Sequence, residues 1–237
     1  MRKSFITNGV PRKGLSRRDE QYIVADKRKT LKDGPWILVD GAEIECAVNA
    51  RIIGMYGSAC IKVMRGSTCV EDMYDEAHVD VMRDSARIDC MFESAYVGRM
   101  YDSASIKIMH DSTCVESMYD SAYIGNMVDE ARVDDMYGEA RVETMHEEAH
   151  IDIMYDDARV DAMYEEAHIG TMCDKARVDV MRHMASVGIM RDSAYVGAMY
   201  DSTRVDVMRD SACVEDMYEQ VSVGAIGGSA RIVHDHR

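Results

Sequence analysis

The sequence predicts an all-β fold, a β-solenoid of 21 nonapeptide units, the last one incomplete. Three observations carry this. Ala, or less often Thr, recurs every ninth position from Ala50 to Ala230, with Val221 the one departure. Val or Ile stands two residues after it in every unit, from Ile52 to Ile232. Met fills the sixth position of 19 successive units, from Met55 to Met217, giving the consensus A-x-[VI]-x-x-M-[YR]-[DE]-[SE].

A helix cannot use this pattern. At 100° per residue, nine residues place each apolar set on the side opposite the last, so no stripe persists. The A-x-V alternation instead puts two residues on one face of a strand. Met at position six reads as a third inward residue, an adaptable core filler rather than a ligand. Asp, Gly and Ser at positions seven to nine mark a corner. Gly57, Gly66, Gly138 and Gly228 replace the usual acid at position eight, as at a turn with an unusual backbone angle. Position seven sets the coil. Taken every second unit it sorts into like runs, Arg65 and Arg83, then Tyr101, Tyr119, Tyr137 and Tyr155, then Arg191 and Arg209. Taken every third unit it mixes. This favours two nonapeptide units per coil over three. Ten coils at ~4.8 Å per rung make a rod of about 50 Å.

Two segments follow from this phase. Residues 1–41 form a basic N-terminal segment and cap, with both prolines, Pro11 and Pro35, and the single Trp36. Trp36, Ile37 and Val39 are expected to cover the first coil, and the stretch 16–29 to form a short helix or a strand. Residues 42–237 form the acidic solenoid, entered through a unit at Ala42 and Ile44 that is one residue short. At the far end "ARIVHDHR" is short for a cap. The open coil around Val223 and Ile232 therefore predicts a homodimer through that end.

The small residue two before a central apolar one resembles pentapeptide-repeat proteins, whose family fold is a right-handed, four-sided β-helix. The likeness covers residues 50–230 and rests on two positions per unit. Here a four-residue M-x-x-x segment is added to each five. The resemblance implies a right-handed solenoid. It also implies a function, because some members of that family act as DNA mimics on DNA-handling enzymes.

Charge narrows the function. The chain carries −15, divided as +5 over residues 1–41 and −20 over 42–237. So acidic a body repels nucleic acid and anionic membranes and attracts basic protein surfaces. No apolar leader and no membrane span are visible. Seven cysteines form no CxxC pair, which fits reduced thiols and a cytoplasmic location. No catalytic constellation, nucleotide loop, calcium-roll motif or ice-binding Thr rank is present, so neither an enzyme nor a cofactor is expected. His234, Asp235 and His236 read as a charged terminus rather than a metal set.

The acids are concentrated. Position eight is Asp or Glu in 15 of 20 units, which turn chemistry and solubility alone can explain. Position nine is mostly Ser but becomes acidic in mid-chain. Residues 129–166 hold 14 acids against Arg132, Arg141 and Arg159. The candidate partner-binding stripe is Asp129, Glu130, Glu139, Glu147, Glu148, Asp156, Asp157, Glu165 and Glu166. Stacked like charges oppose folding, so something outside the chain is expected to reward them. Two functions follow. One is an acidic protein that occupies a basic site, in its sharpest form a DNA mimic that inhibits a restriction, CRISPR or topoisomerase-type enzyme, as suits a phage or mobile element. The other is a structural scaffold or self-assembling rod whose acids only keep it soluble.

Overall fold

The computed structural model describes residues 23–24 and 26–237. Among the described residues there are 23 strands and no helix. The chain winds as a parallel solenoid of about 12 coils. From β5 (Cys69–Met73), β6 (His78–Met82) and β7 (Arg87–Met91) onward, each unit gives one five-residue strand. Each pairs in parallel with the strand one coil before it and, up to β21 (Cys213–Met217), with the strand one coil after it. Partners stand two units apart in sequence, as in Val79 with Val97, Met82 with Met100 and Val142 with Val160. The coil therefore holds two units, one on each of two ladders.

Packing explains the consensus. Positions one, three and six point inward, and Ala140, Val142 and Met145 are 0% exposed, like their counterparts along the regular part of the rod. Identical side chains stack from coil to coil into columns of Ala, of Val or Ile, and of Met. Where Thr68, Thr113 and Thr203 replace Ala, the buried hydroxyl donates to the carbonyl three residues earlier, at 2.8, 2.8 and 2.9 Å. That bond removes the cost of a buried polar atom.

The N-terminal cap is itself a rung. β2 (Lys27–Leu38) lies parallel on β3 (Glu43–Met55), and β1 (Ile23–Val24) lies on β2. Leu31, Ile37 and Leu38 join the core, Trp36 packs against its edge, and Val39 is partly buried. These strands make the rod longer than the ten coils of the repeat alone. Their phase differs: Leu31 pairs with Ala47 and Leu38 with Met55, with register shifts between. The short unit at Ala42 appears as a spacing one residue below the regular one, Glu43 to Cys60 and Ala47 to Met64. The described part of stretch 16–29 is strand apart from a bend at Asp26, and the basic residues before Ile23 lie outside the described residues.

The other end is open. β22 (Ser222–Ile226) and β23 (Arg231–Asp235) pair on one side only. Val223 and Ile232 are partly buried against the core, while Ile226 is 50% and Val233 46% exposed. Asp235 takes the position that Met217 holds one coil earlier. Arg237 folds back onto it, with Nη2 2.8 Å from Asp235 Oδ2 and Nη1 3.4 Å from the Val221 carbonyl. This clamp guards part of the end and leaves Ile226 bare.

Candidate partner-binding surface

The corners carry the acids, and their backbone decides which acids have a structural task. Nearly every eighth-position residue is left-handed, from Asp75 (φ 59°) to Asp210 (φ 56°), with Gly138 at φ 68°. Asp and Gly tolerate that region where most residues do not. The turn leaves the backbone N–H of this residue without a backbone partner, and the carboxylate of the next coil accepts it. Asp102 accepts from Asp84 N–H at 3.0 Å and Asp120 from Asp102 N–H at 3.1 Å. Asp129 accepts from Asp111 at 3.0 Å and Asp156 from Gly138 at 3.0 Å. The eighth-position acids thus form a ladder of charge-assisted hydrogen bonds that binds coil to coil.

Position nine has no such duty. At Glu139 and Asp157 the N–H is already paired to the preceding coil, with the Asp120 carbonyl at 2.7 Å and the Gly138 carbonyl at 3.0 Å. Glu130 accepts from Ser112 Oγ at 3.2 Å. Glu139, Glu148, Asp157 and Glu166 are exposed and make no side-chain hydrogen bond or ion pair among the described residues.

Two units per coil also divide the stripe. Alternate units turn at opposite edges of the flattened rod. Asp129 with Glu130, Glu147 with Glu148 and Glu165 with Glu166 occupy three successive coils of one edge. Glu139, Asp156 and Asp157 lie on the other. At ~3.3 Å per residue the edges stand about 20 Å apart.

The first edge holds histidines that motif reading missed. His110 Nδ1 is 3.6 Å from Asp129, His146 Nδ1 is 3.2 Å from Glu165, and His183 Nδ1 is 3.6 Å from Glu165. In the first two pairs the acid lies one residue beyond a full coil from the histidine, an offset that makes sense only once the coil length is known. Asp129 is held below the usual carboxylate range, first by the Asp111 N–H and then by its hydrogen bond with Glu147. Glu147 moves the other way, raised by that same hydrogen bond and by the Asp129 charge. Asp129 therefore holds its charge at the expense of Glu147.

The broad faces are nearly self-neutralising. Arg132 Nε is 2.7 Å from Asp134 and Arg159 Nε is 2.9 Å from Asp161. Arg132, Arg141 and Arg159 also pair with Asp152, Asp161 and Asp179 on the next coil. Position-seven rings stack along the edges: Tyr101, Tyr119, Tyr137 and Tyr155 follow at 4.8, 5.0 and 4.8 Å, capped by Arg83 at 4.8 Å. Most of the uncompensated charge thus lies on the two edges.

None of the seven cysteines is in a disulfide. No helix among the described residues is long and apolar enough to cross a membrane. Compared with protein-family models, curated proteins and solved structures, the chain matches none, and its likeness to pentapeptide repeats rests on the A-x-V pattern alone.

Proposed function

We propose that this is a non-enzymatic, cytoplasmic binding protein whose acidic edges occupy a basic protein surface, and that this surface is the nucleic-acid site of a DNA-handling or defence enzyme. The observation that carries the reading is the position-nine set, Glu130, Glu139, Glu148, Asp157 and Glu166. They stand where Ser stands in most other coils, they repel one another, and four of them do nothing for the fold. Two further features support a duplex-like shape. Two acids per ~4.8 Å rung on one edge approach the ~1.7 Å per charge of DNA. A second acidic row about 20 Å away matches the scale of two phosphate backbones flanking a duplex.

The test is a five-residue change of Glu130, Glu139, Glu148, Asp157 and Glu166 to Ser. The fold is expected to survive or gain stability. Capture of the partner from a bacterial lysate should weaken sharply and lose most of its salt dependence. Duplex DNA should compete for the partner, and the protein should not bind DNA. Unchanged capture by the variant favours the rod or scaffold reading, which the eighth-position ladder and the paired faces already support for the remaining charge.

The second contact is with another copy. The unpaired edge of β22 with bare Ile226, and the half-covered Val223 and Ile232, fit end-to-end dimerisation at the C-terminal coil. Light scattering at tens of micromolar should show a dimer, and Ile226→Arg should return it to monomer. A monomeric parent chain would remove this part of the proposal.

A further inference from the structure

A different cluster lies near the N-terminal end of the rod, on the outer face of the ladder that holds β4 (Cys60–Arg65) and β6. Cys60 and His78 are register partners on adjacent coils, and Asp80 lies two residues after His78 on the same face. The sulfur, an imidazole nitrogen and a carboxylate oxygen all lie within 4.8 Å of one another, with His78 Nε2 3.9 Å from Asp80. Among the described residues this is the one such group of three. We propose that Cys60, His78 and Asp80 bind zinc, with the fourth tetrahedral position open to water.

The rod supplies its own control. The same three positions recur as Cys69, Arg87 and Asp89, and as Cys114, Arg132 and Asp134. There the middle residue is a cation. Arg87 Nε lies 3.2 Å from Cys69 Sγ and 3.5 Å from Asp89, and Arg132 Nε lies 2.7 Å from Asp134. Arg87 stands between its thiol and carboxylate, at Cys114 the thiol itself reaches Asp134 Oδ1 at 4.0 Å, and in both sets the arginine has no lone pair to give a metal. Only at Cys60 does a histidine take that place, turning an ion-pair motif into a set of three donors. Thiol, imidazole and carboxylate together select zinc over magnesium or calcium. Tetrahedral bonds of 2.0–2.3 Å need donors roughly 3.3–3.8 Å apart. Small side-chain rotations on an open strand face close the difference.

The local charge agrees. Glu43, the register partner of Cys60 on the preceding coil, and Glu45 offset Lys62, which lies 3.4 and 3.5 Å from them. Zinc binding would replace the Cys60 S–H bond by a Zn–S bond and release that proton to water. The position is structurally apt. The coil from Glu43 to Cys60 is one residue short, and the coil from Cys60 to His78 is the first of regular length on this ladder. A metal would fasten the regular coils to the irregular ones.

The test uses the chelator-treated full chain, titrated with Zn2+ by calorimetry and with Co2+ by absorption. One equivalent should bind at micromolar or lower concentration, Co2+ should give a near-ultraviolet thiolate-to-cobalt band, and Zn2+ should raise Tm. Cys60→Ser should abolish the band. His78→Arg copies the neighbouring Cys69 motif, so it should fold normally while losing at least about tenfold in affinity. Absence of saturable binding, a missing thiolate band, or binding that persists in both variants would each overturn the proposal, the last by placing the metal elsewhere.

Discussion

Asp102 is the cleanest probe of the carboxylate ladder, because it lies outside the acidic stripe. Its carboxylate accepts the Asp84 N–H at 3.0 Å while its own backbone is left-handed at φ 58°. Asp102→Ala loses an exposed charge-assisted hydrogen bond, about 1 kcal/mol. It also puts a β-carbon with no compensating side chain into the left-handed region, about 1 kcal/mol more. The sum is about 2 kcal/mol. Asn keeps an acceptor oxygen and tolerates the backbone, so Asp102→Asn should cost no more than about 0.5 kcal/mol. Asp102→Gly loses the bond but relaxes the backbone, and should fall between them. Denaturant midpoints at constant m value give the order, with Ala lowest. Amide exchange at Asp84 gives the cause, since only Ala and Gly should release that proton. If Ala and Asn prove equal and the Asp84 amide stays protected, the ladder is not structural. All nine acids then return as candidates for partner binding.

Three other outcomes follow from the same geometry. Val142→Asp or Met145→Asp places an unpartnered charge in a fully buried column and should cost at least about 3 kcal/mol, with loss of the β circular-dichroism signal on mild heating. The thiols of Cys60 and Cys114 are both pushed up to about 11, by burial first and then by Asp80 and Asp134, from an unfolded value of 9.0. A group with a raised folded pKa stabilises below its unfolded pKa and loses that contribution as pH rises through the folded one. Stability, and Tm with it, should therefore fall between pH 9 and 11, by about 1 kcal/mol per thiol after allowing for solvent screening at these half-buried sites, and a Cys60→Ser, Cys114→Ser double variant should flatten the profile.

The repeat was legible because its inward positions are chemically uniform. Ala, Val and Met recur in one phase, and the like runs at position seven set the coil at two units. The stacked rings from Tyr101 to Tyr155 are the physical reason that inference worked. The N-terminal rungs were harder to read. β2 pairs with β3 at a spacing one or two residues below the regular coil, so Leu31 and Leu38 fall out of the nonapeptide phase although they occupy the same core. Side-chain chemistry between coils was invisible for a related reason. His146 and Glu165, or Cys60, His78 and Asp80, meet across a full coil of intervening chain, which no local motif records.

The same offset decides how the acidic stripe should be tested. Residues 129–166 read as one run, but successive units face opposite edges. Glu130, Glu148 and Glu166 line one edge, and Glu139 and Asp157 the other. A partner with a single flat basic patch can contact only one row. Changing Glu130, Glu148 and Glu166 to Ser would then abolish most of the salt dependence, and changing Glu139 and Asp157 would do little, or the reverse. A cleft built to hold a duplex touches both rows. Each variant should then lower affinity and reduce the salt slope roughly in proportion to the charges removed, because each carboxylate exchanges its own counterion on binding. Proportional losses from both edges support duplex mimicry. Loss confined to one edge leaves an acidic binding protein but removes the duplex from the explanation.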